Sequence, residues 1–590
     1  MSSISGAQVV ARALRDEGIR FSFGIPGAQN LELYDCLDHS PDIQPVLITD
    51  ERNAPFMAGG LALACGQPGC VLLVPGAGLT HALSGIAEAY MDNVPLLVLA
   101  TGVRNDIDKA YQLHEIDQLA LARPVTKGQI RIDRAVDLYR EIKMACALAR
   151  TPPAGPVIVE IPANLLIARQ TNSEVFDPVI DHTPAPPLAS ESDLQRVAAA
   201  IEQSERPFLY LGRGSADGKD NLVRLAELLE APVCTTFQGK SVFPEHHPLW
   251  LWPGFGPAAP AFVASIAGDC DLTLAIGCRF SEVATGSYGA TPPGRLIHID
   301  VDPSVIGRNY PASIGIPAEA RAFVLALLPK LRQRARNQHL RDRIHKGHAQ
   351  LWSESGSDRP KGAVSPEQLL TSLQKVLPGD TIYVTDSGNG LFFAAETLRL
   401  DAPGSFLAPV DFSCMGYAIP AAMGAAFGCP GRHVVALEGD GAMMMTAFEL
   451  VTAVHHHLPL LIVVLRDREL GQIAHFQRRG FAYQAASILP DYNLAELCAG
   501  FGLGHLALNN DSDIDGAIAA VARSFRERGL PFLLEVMIDY SWPTFFTRGV
   551  IATNFRRLSW PDRLRFAARV IGRRSLQRLG AVPTSGSNSG

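Results

Sequence analysis

Nine short apolar runs, separated by stretches long enough for a helix, constrain the fold of this chain more than any other feature. Residues 71–74 (VLLV), 96–99 (LLVL) and 157–159 (VIV) come first. Residues 209–211 (LYL), 272–276 (LTLAI) and 296–299 (LIHI) follow, and 381–384 (TIYV), 434–437 (VVAL) and 461–465 (LIVVL) complete the set. Runs this apolar read as strands buried on both faces, and strands covered by the helices between them form parallel sheets. Two stretches rich in Pro and small polar residues, 176–193 and 353–366, favour exposed, extended backbone and divide the runs three by three. The expected fold class is α/β, with three consecutive doubly wound parallel-sheet domains over residues 1–176, 190–350 and 360–545. A tail over 546–590 follows. Several domains also suit a chain of 590 residues, which is too long for one core.

Composition narrows the class. Apolar residues make up 47% and charged residues 19%, as in a large, well-buried protein. No apolar run approaches the roughly 18 residues of a membrane span, so no transmembrane segment is expected. The opening residues lack a basic segment followed by an apolar one, so no secretory signal is expected either. A net charge of −7 argues against nucleic-acid binding, which depends on neutralising phosphates. The ten cysteines contain no CxxC pair and read as reduced thiols of a cytoplasmic protein.

The richest segment is 434–473. A strand ends in Glu438-Gly439-Asp440-Gly441. A helix-like stretch follows over 442–457, with Met444, Phe448, Val451 and Val454 at helical spacing. The next strand ends at Leu465 and leads into Arg466-Asp467-Arg468-Glu469. In doubly wound sheets, ligands bind at the carboxyl ends of the strands. Gly439 and Gly441 let backbone approach a ligand, and a helix N-terminus attracts anions. Carboxylates in the same place repel a bare phosphate, unless a cation such as Mg²⁺ joins the two. Asp440 and Asp467 lie 27 positions apart (467 − 440), which suits adjacent strands flanking one helix.

This segment resembles the diphosphate-binding motif of thiamine diphosphate enzymes, GDG followed at a distance by a pair of asparagines. Over nearly its whole length the chain is similar to the acetolactate synthase-like family. Phe23-Gly24-Ile25-Pro26-Gly27 with Tyr34-Asp35, Arg123-Pro124-Val125-Thr126-Lys127, the block from Met415 to Ala422, and Phe476-Gln477 carry the resemblance in order. It implies thiamine diphosphate and Mg²⁺ as cofactors. Asp440, Asp467 and the backbone carbonyl of Glu469 become the metal ligands. Arg466-Asp467 stands where the family has Asn-Asn, which adds a negative charge that Arg466 or Arg468 offsets unless both are solvated. The cofactor contacts implied are Pro26, Pro75, Gly439, Gly441, Ala442, Leu470, Gly471 and the loop Ser387-Gly388-Asn389. Met415 becomes the apolar support that keeps the cofactor bent, although by sequence alone it reads as a core methionine.

Thiamine chemistry also needs a carboxyl group at the pyrimidine nitrogen, at a strand end flanked by small residues. Residues 45–55 (PVLITDERNAP) supply it, followed by the small residues of 54–64. The resemblance assigns Glu51, and strand alternation sets the neighbouring Asp50 on the opposite face. The loop Pro75-Gly76-Ala77-Gly78 is either an approach to the site or a plain turn. The family holds its cofactor between the first domain of one subunit and the third of another, which implies a homodimer or homotetramer.

The resemblance further implies a carboligase that decarboxylates a 2-keto acid donor and adds the resulting acyl carbanion to a carbonyl acceptor. A 2-keto acid decarboxylase, a 2-hydroxyacyl lyase and a catalytically silent cofactor-binding homologue are the alternatives. His114 stands where the family has a Gln, with Gln112 two positions away, and either can face substrate; Gln472 is a third substrate candidate. Only one His lies here, against the adjacent pair of pyruvate-type decarboxylases. In Arg279-Phe280-Ser281-Glu282-Val283 the family's acceptor-binding Arg is Val283, which favours an aldehyde, a ketone or a bulkier acceptor. Leu211-Gly212-Arg213-Gly214 resembles a flavin-side loop of some relatives and leaves FAD undecided. The arginine-rich stretch 560–579 suits an amphipathic helix that docks on the enzyme, closes the site or lies on a membrane surface. The end after Val582 is expected to be disordered.

Overall fold

The computed structural model describes residues 3–171, 185–351, 363–481, 484–566 and 568–569. The first domain contains β1 (Ser3–Ser5), β2 (Phe21–Gly24), β3 (Gln44–Leu47), β4 (Gly69–Leu73), β5 (Leu96–Gly102), β6 (Gly128–Arg131), β7 (Pro156–Pro162) and β8 (Arg169–Thr171). The second contains β9 (Pro207–Leu211), β10 (Val233–Thr235), β11 (Trp250–Pro253), β12 (Leu272–Ile276), β13 (Arg295–Asp300) and β14 (Ile314–Pro317). The third contains β15 (Ile382–Thr385), β16 (Phe406–Leu407), β17 (Val434–Gly439), β18 (Leu460–Arg466), β19 (Gly504–Leu508) and β20 (Phe532–Met537). β1 and β8 pair as a small antiparallel ribbon.

Three parallel six-stranded sheets result, with orders β3-β2-β4-β5-β7-β6, β11-β10-β9-β12-β13-β14 and β16-β15-β17-β18-β20-β19. All nine apolar runs are strands, and in each sheet they are three consecutive neighbours: β4-β5-β7, β9-β12-β13 and β15-β17-β18. Strands covered on both faces become continuous apolar runs; the other strands are very short, lie at a sheet edge or are interrupted by polar residues, Gly or Pro, and escape that pattern. The outer sheets share one strand order, whereas the middle sheet has the dinucleotide-fold order.

The outer domains meet through the helices Asn53–Cys65 and Ala418–Gly428. The Phe56 and Tyr417 rings pack edge-on at 5.5 Å near the start of both helices. Further along, Gly60 lies against the Ala421 carbonyl and Gly424 against the Met57 carbonyl, so closely that a β-carbon at either glycine would collide with backbone. The helices therefore run parallel and share one apolar core with strands of both sheets.

Several local expectations change. The stretch 442–457 is not one helix: Asp440–Thr446 is α-helical, Ala447–Glu449 is a 3₁₀ turn, and Leu450–His455 is α-helical again. Its stripe is not core, since Met444, Met445, Phe448 and Val451 are exposed, Phe448 by 68%. The first expected linker ends early, because Ser190 caps the helix Glu191–Gln203 by accepting the Asp193 N–H at 3.1 Å. The second ends at the helix Pro366–Val376. The parts of these linkers over 172–184 and 352–362 lie outside the described residues. The tail begins with the helix Phe545–Arg557, which docks on the central domain through Gly549 against Ala258 and Thr553 against Gly289. Helix continues over 560–566 with Trp560 and Leu564 exposed. Residues 570–590, including the expected disordered end, lie outside the described residues. Among the described residues no helix is long and apolar enough to cross a membrane. All ten cysteines are free thiols.

Candidate active site

In the third domain the strand order reverses between β15 and β17, and the loops after both strands open at that point. Crevices of this kind bind ligands in doubly wound folds. β17 ends at Gly439, and Asp440 begins the next helix. β18 pairs alongside with Gly439 opposite Leu465, which brings Asp467 beside Asp440. Asp440 is 2% exposed. Its Oδ2 accepts the Arg468 backbone N–H at 2.7 Å and its Oδ1 the Gly441 N–H at 3.0 Å. Burial pushes Asp440 up to about 6, against the pull of those two donors. Burial and the charge of Asp440 push Asp467 up to about 8. Two acids that resist ionising together are what a divalent cation relieves.

The side chains of the site pack closely on its glycines. A β-carbon on Gly471 would collide with the Asp467 carboxylate and come within 3.1 Å of Asn389 Nδ2. One on Gly441 would lie 2.8 Å from Leu470 and 3.5 Å from Met415. Asp440, Gly441, Asp467, Leu470, Gly471, Asn389 and Met415 are therefore neighbours. Gly388, with φ of 108°, turns the chain into the helix Asn389–Thr397. Ser387 Oγ lies 2.7 Å from Ser413 Oγ. Ala442 is buried in the first turn after Asp440, Glu469 donates its N–H to Asp467 at 3.3 Å, and Gln472 follows Gly471 in the helix Gly471–Gly480. Met415 is 38% exposed, so the core-methionine reading fails.

The charge of Arg466 weighs on Asp440, while the residue itself is held by other partners. Its buried guanidinium is clamped by Glu535 and Asp491, and it donates to the Tyr492 carbonyl at 2.8 Å. Arg468 points its side chain outward, 3.5 Å from Asp491, and contributes its backbone instead. Arg478 is the cation that weighs on Asp467. Two further residues support the site, Asp386 from the phosphate-facing loop expected at Asp386-Ser387-Gly388-Asn389 and Tyr540, which had no sequence signal. Buried Asp386 accepts the N–H groups of Gly416 at 3.1 Å and Ala418 at 2.9 Å, anchoring the turn that carries Met415. Half-buried Tyr540 stacks on Phe393 and feels the charges of Asp467 and Asp440.

In the first domain the loops after β2 and β4 lie side by side, with Gly27 next to Val74, so Pro26 and Pro75 border one crevice. Glu51 stands at the turn after β3. Its Oε1 lies 3.4 Å from the position of a β-carbon on Gly78, and its Oε2 is 3.2 Å from His81 Nδ1. The loop Pro75–Gly78 thus covers Glu51, and Ala77 opens the helix Ala77–Met91. Asp50 is occupied elsewhere: burial raises it, but Arg52, hydrogen-bonded at 2.8 Å, holds it below the usual carboxylate range. His114 has φ of 70° and sets its carbonyl against Gly76. The Gln112 amide is taken up by its own loop, donating to the Arg104 carbonyl at 2.9 Å. Buried Gln118, another residue without a sequence signal, bonds Glu160 at 2.9 Å and the Thr101 carbonyl at 3.0 Å beside this loop.

In the central domain Gly212-Arg213-Gly214 lies at the switch point between β9 and β12, where Gly277 packs on Gly214. A cavity of about 960 Å³ opens there, lined by Arg213, Gln238, Arg279, Asp300 and Asp411 among others. Arg279 holds Asp411 at 2.6 Å, and Val283 packs against the apolar core of the third domain.

Two outer sheets of one topology, one tipped by Glu51 and the other by an acid pair beside glycines, define a thiamine diphosphate-dependent enzyme. The comparisons agree. Residues 4–121, 194–327 and 386–536 match the thiamine pyrophosphate enzyme N-terminal TPP binding domain, central domain and C-terminal TPP binding domain. The acetolactate synthase isozyme 3 large subunit of Escherichia coli K12 is 29% identical over 558 residues, covering 92% of this chain and 96% of that protein. The probable acetolactate synthase large subunit of Methanocaldococcus jannaschii is 30% identical over 558 residues, covering 91% and 92%. An acetolactate synthase of Mycobacterium bovis is 30% identical over 527 residues, covering 85% and 84%. The chain belongs to the acetolactate synthase-like family of thiamine diphosphate-dependent enzymes.

Proposed function

We propose that this enzyme is a Mg²⁺-dependent carboligase that decarboxylates a 2-keto acid and joins the remaining acyl unit to a carbonyl acceptor. The observation that carries the reading is the buried, mutually repelling pair Asp440 and Asp467 among glycines at the switch point of the third sheet. When bound, thiamine diphosphate supplies the nucleophilic carbon and the electron sink for breaking and making bonds beside a carbonyl. Asp440, Asp467 and the Glu469 carbonyl hold the metal in this reading. Gly439, Gly441, Ala442 and the loop Ser387-Gly388-Asn389 take the diphosphate end. Met415, Leu470, Gly471, Pro26 and Pro75 line the remainder. Glu51 holds and moves the proton at the pyrimidine nitrogen. His114 and Gln472 face substrate, with Gln112 a residue of the supporting loop. The domain boundaries proposed are 1–176, 190–350 and 360–545.

The site is proposed to be shared between subunits of a homodimer or homotetramer. Supporting this, Glu51 contacts His81 of its own domain at 3.2 Å, and the segment after Asp440 exposes Met444, Met445, Phe448 and Val451. An uncharged or bulky acceptor is favoured, because Val283 offers an anion nothing and Arg279 in the same loop is bound to Asp411. Incubation with thiamine diphosphate, Mg²⁺ and a panel of 2-keto acids, with and without aldehydes, tests the reading through CO₂ release and product mass. Ligated products support it; free aldehyde alone indicates a decarboxylase; no CO₂ from any donor sinks it. The absorbance spectrum of the same preparation decides whether the central cavity carries flavin.

A further inference from the structure

Away from both half-sites, Cys65 and Cys429 bring thiols of the first and third domains together. Cys65 ends the helix Asn53–Cys65, and Cys429 caps the end of Ala418–Gly428. Because these helices run parallel, their C-terminal ends coincide. The Cys65 sulfur lies 2.8 Å from the position of a β-carbon on Gly428, the residue before Cys429. Cys429 is the neighbour that acts most strongly on the Cys65 side chain, and the Cys65 thiol donates to the Leu61 carbonyl at 3.1 Å. Both thiols are partly exposed, whereas Cys70, Cys146, Cys234, Cys270, Cys278 and Cys498 are buried.

The chemistry around the pair is asymmetric. Contact with Cys429 draws Cys65 down, with burial opposing it and the Gln67 N–H and the charge of Arg20 assisting. Cys429 is raised in turn by the same contact. Two neighbouring, partly exposed thiols beside the charge of Arg20 are an arrangement in which one, once ionised, is oxidised and the other resolves it.

We propose that Cys65 and Cys429 form a redox modification site at which a peroxide joins the first and third domains by a disulfide. The Cys65 thiolate attacks one peroxide oxygen, the O–O bond breaks, and the departing hydroxide takes up a proton to become water. The Cys429 sulfur then attacks the resulting sulfenic acid at sulfur and gives up its proton. The S–O bond breaks, a second water leaves and the S–S bond forms. Two thiols are oxidised and one peroxide is reduced to two waters. The bridge ties the far ends of two helices whose near ends follow Glu51 and Met415.

The test uses the full-length protein titrated with hydrogen peroxide, with remaining thiols blocked, followed by non-reducing digestion and mass spectrometry. The expected result is a linked Cys65–Cys429 peptide that forms before the buried thiols react and disappears with dithiothreitol. Cys65→Ser and Cys429→Ser each abolish it. Cys429→Ser also converts the reversible change at Cys65 into sulfinic acid, a readout that survives if the other variant folds poorly. The proposal is overturned if both thiols stay alkylatable at doses that oxidise Cys36 or Cys414. It is equally overturned if wild-type Cys65 passes to sulfinic acid without the linked peptide.

Discussion

The backbone N–H of Arg468 donates to the Asp440 carboxylate at 2.7 Å, so the loop after β18 is fastened to the loop after β17 by a residue of the acid pair itself. The two strand ends cannot separate without exposing a buried carboxylate. Asp467, next in sequence to Arg468, is held facing Asp440.

From that arrangement, Asp467→Asn keeps a ligating oxygen and relieves the repulsion, whereas Asp467→Ala removes the ligand. Titration calorimetry with Mg²⁺ and thiamine diphosphate is expected to show near-native affinity for Asp467→Asn. The loss for Asp467→Ala should reach or exceed the ~10–100-fold typical of removing even an outer partner of a metal ligand. Equal affinity for wild type and Asp467→Ala would refute the metal assignment.

Glu51 and Asp50 are adjacent but differently engaged, one covered by Gly78 and the other paired with Arg52. Glu51→Gln is expected to lower turnover by roughly 10²–10⁴-fold, the usual weight of a positioned proton-transfer group. Asp50→Asn should alter turnover far less. Steady-state kinetics on both variants, with cofactor binding measured separately, distinguishes the two carboxylates.

A site shared across subunits predicts complementation. Glu51→Gln and Asp440→Ala enzymes, each inactive alone, are expected to regain activity when mixed under exchange conditions. A hybrid dimer contains one site with both native halves, so random pairing restores about a quarter of the wild-type sites. Persistent inactivity of hybrids verified by mass would place the whole site within one chain.

Glu88 links the helix Ala77–Met91 to the Met415 turn by accepting the Cys414 N–H at 2.8 Å. Burial and the neighbouring Asp92 push it up to about 8. Asp92, itself raised to about 6 by burial, accepts from Gln238 and faces Arg213, Asp411 and Arg279. A raised carboxyl pKa means the folded state binds a proton that the unfolded chain releases above about 4.5. The contribution is therefore fully present at low pH and falls as pH rises from about 4.5 towards 8, by about 1.4 kcal/mol per pH unit for one proton. Urea unfolding across that range should show Glu88→Gln with a shallower decline than wild type. Parallel declines would contradict the assignment.

The sequence made the framework and one half-site readable because their signals are local. Apolar runs announce strands buried on both faces, and the spacing of Asp440 and Asp467 follows from one helix between neighbouring strands. Other features depend on the folded chain. No periodicity shows that Gln112 folds back on the Arg104 carbonyl, since this requires left-handed backbone at Tyr111 and His114. Arg466 reads as a free cation until Glu535 and Asp491 arrive from 69 and 25 residues away. The stripe over 442–457 has the period of a buried face, yet the chain is broken by the 3₁₀ turn at Ala447–Glu449 and Phe448 is exposed.

The identical strand order of the two outer sheets bears on how such an enzyme can be altered. A single scaffold, used twice, carries both candidate half-sites, and the copies differ chiefly in what tops the strands: one carboxyl under a glycine turn in one case, an acid pair in the other. What tops the strands thus differs while the scaffold repeats. The loop 279–283 lies instead above the central sheet, so exchanging it would leave both copies of that scaffold, and the seam at Gly60 and Gly424, untouched.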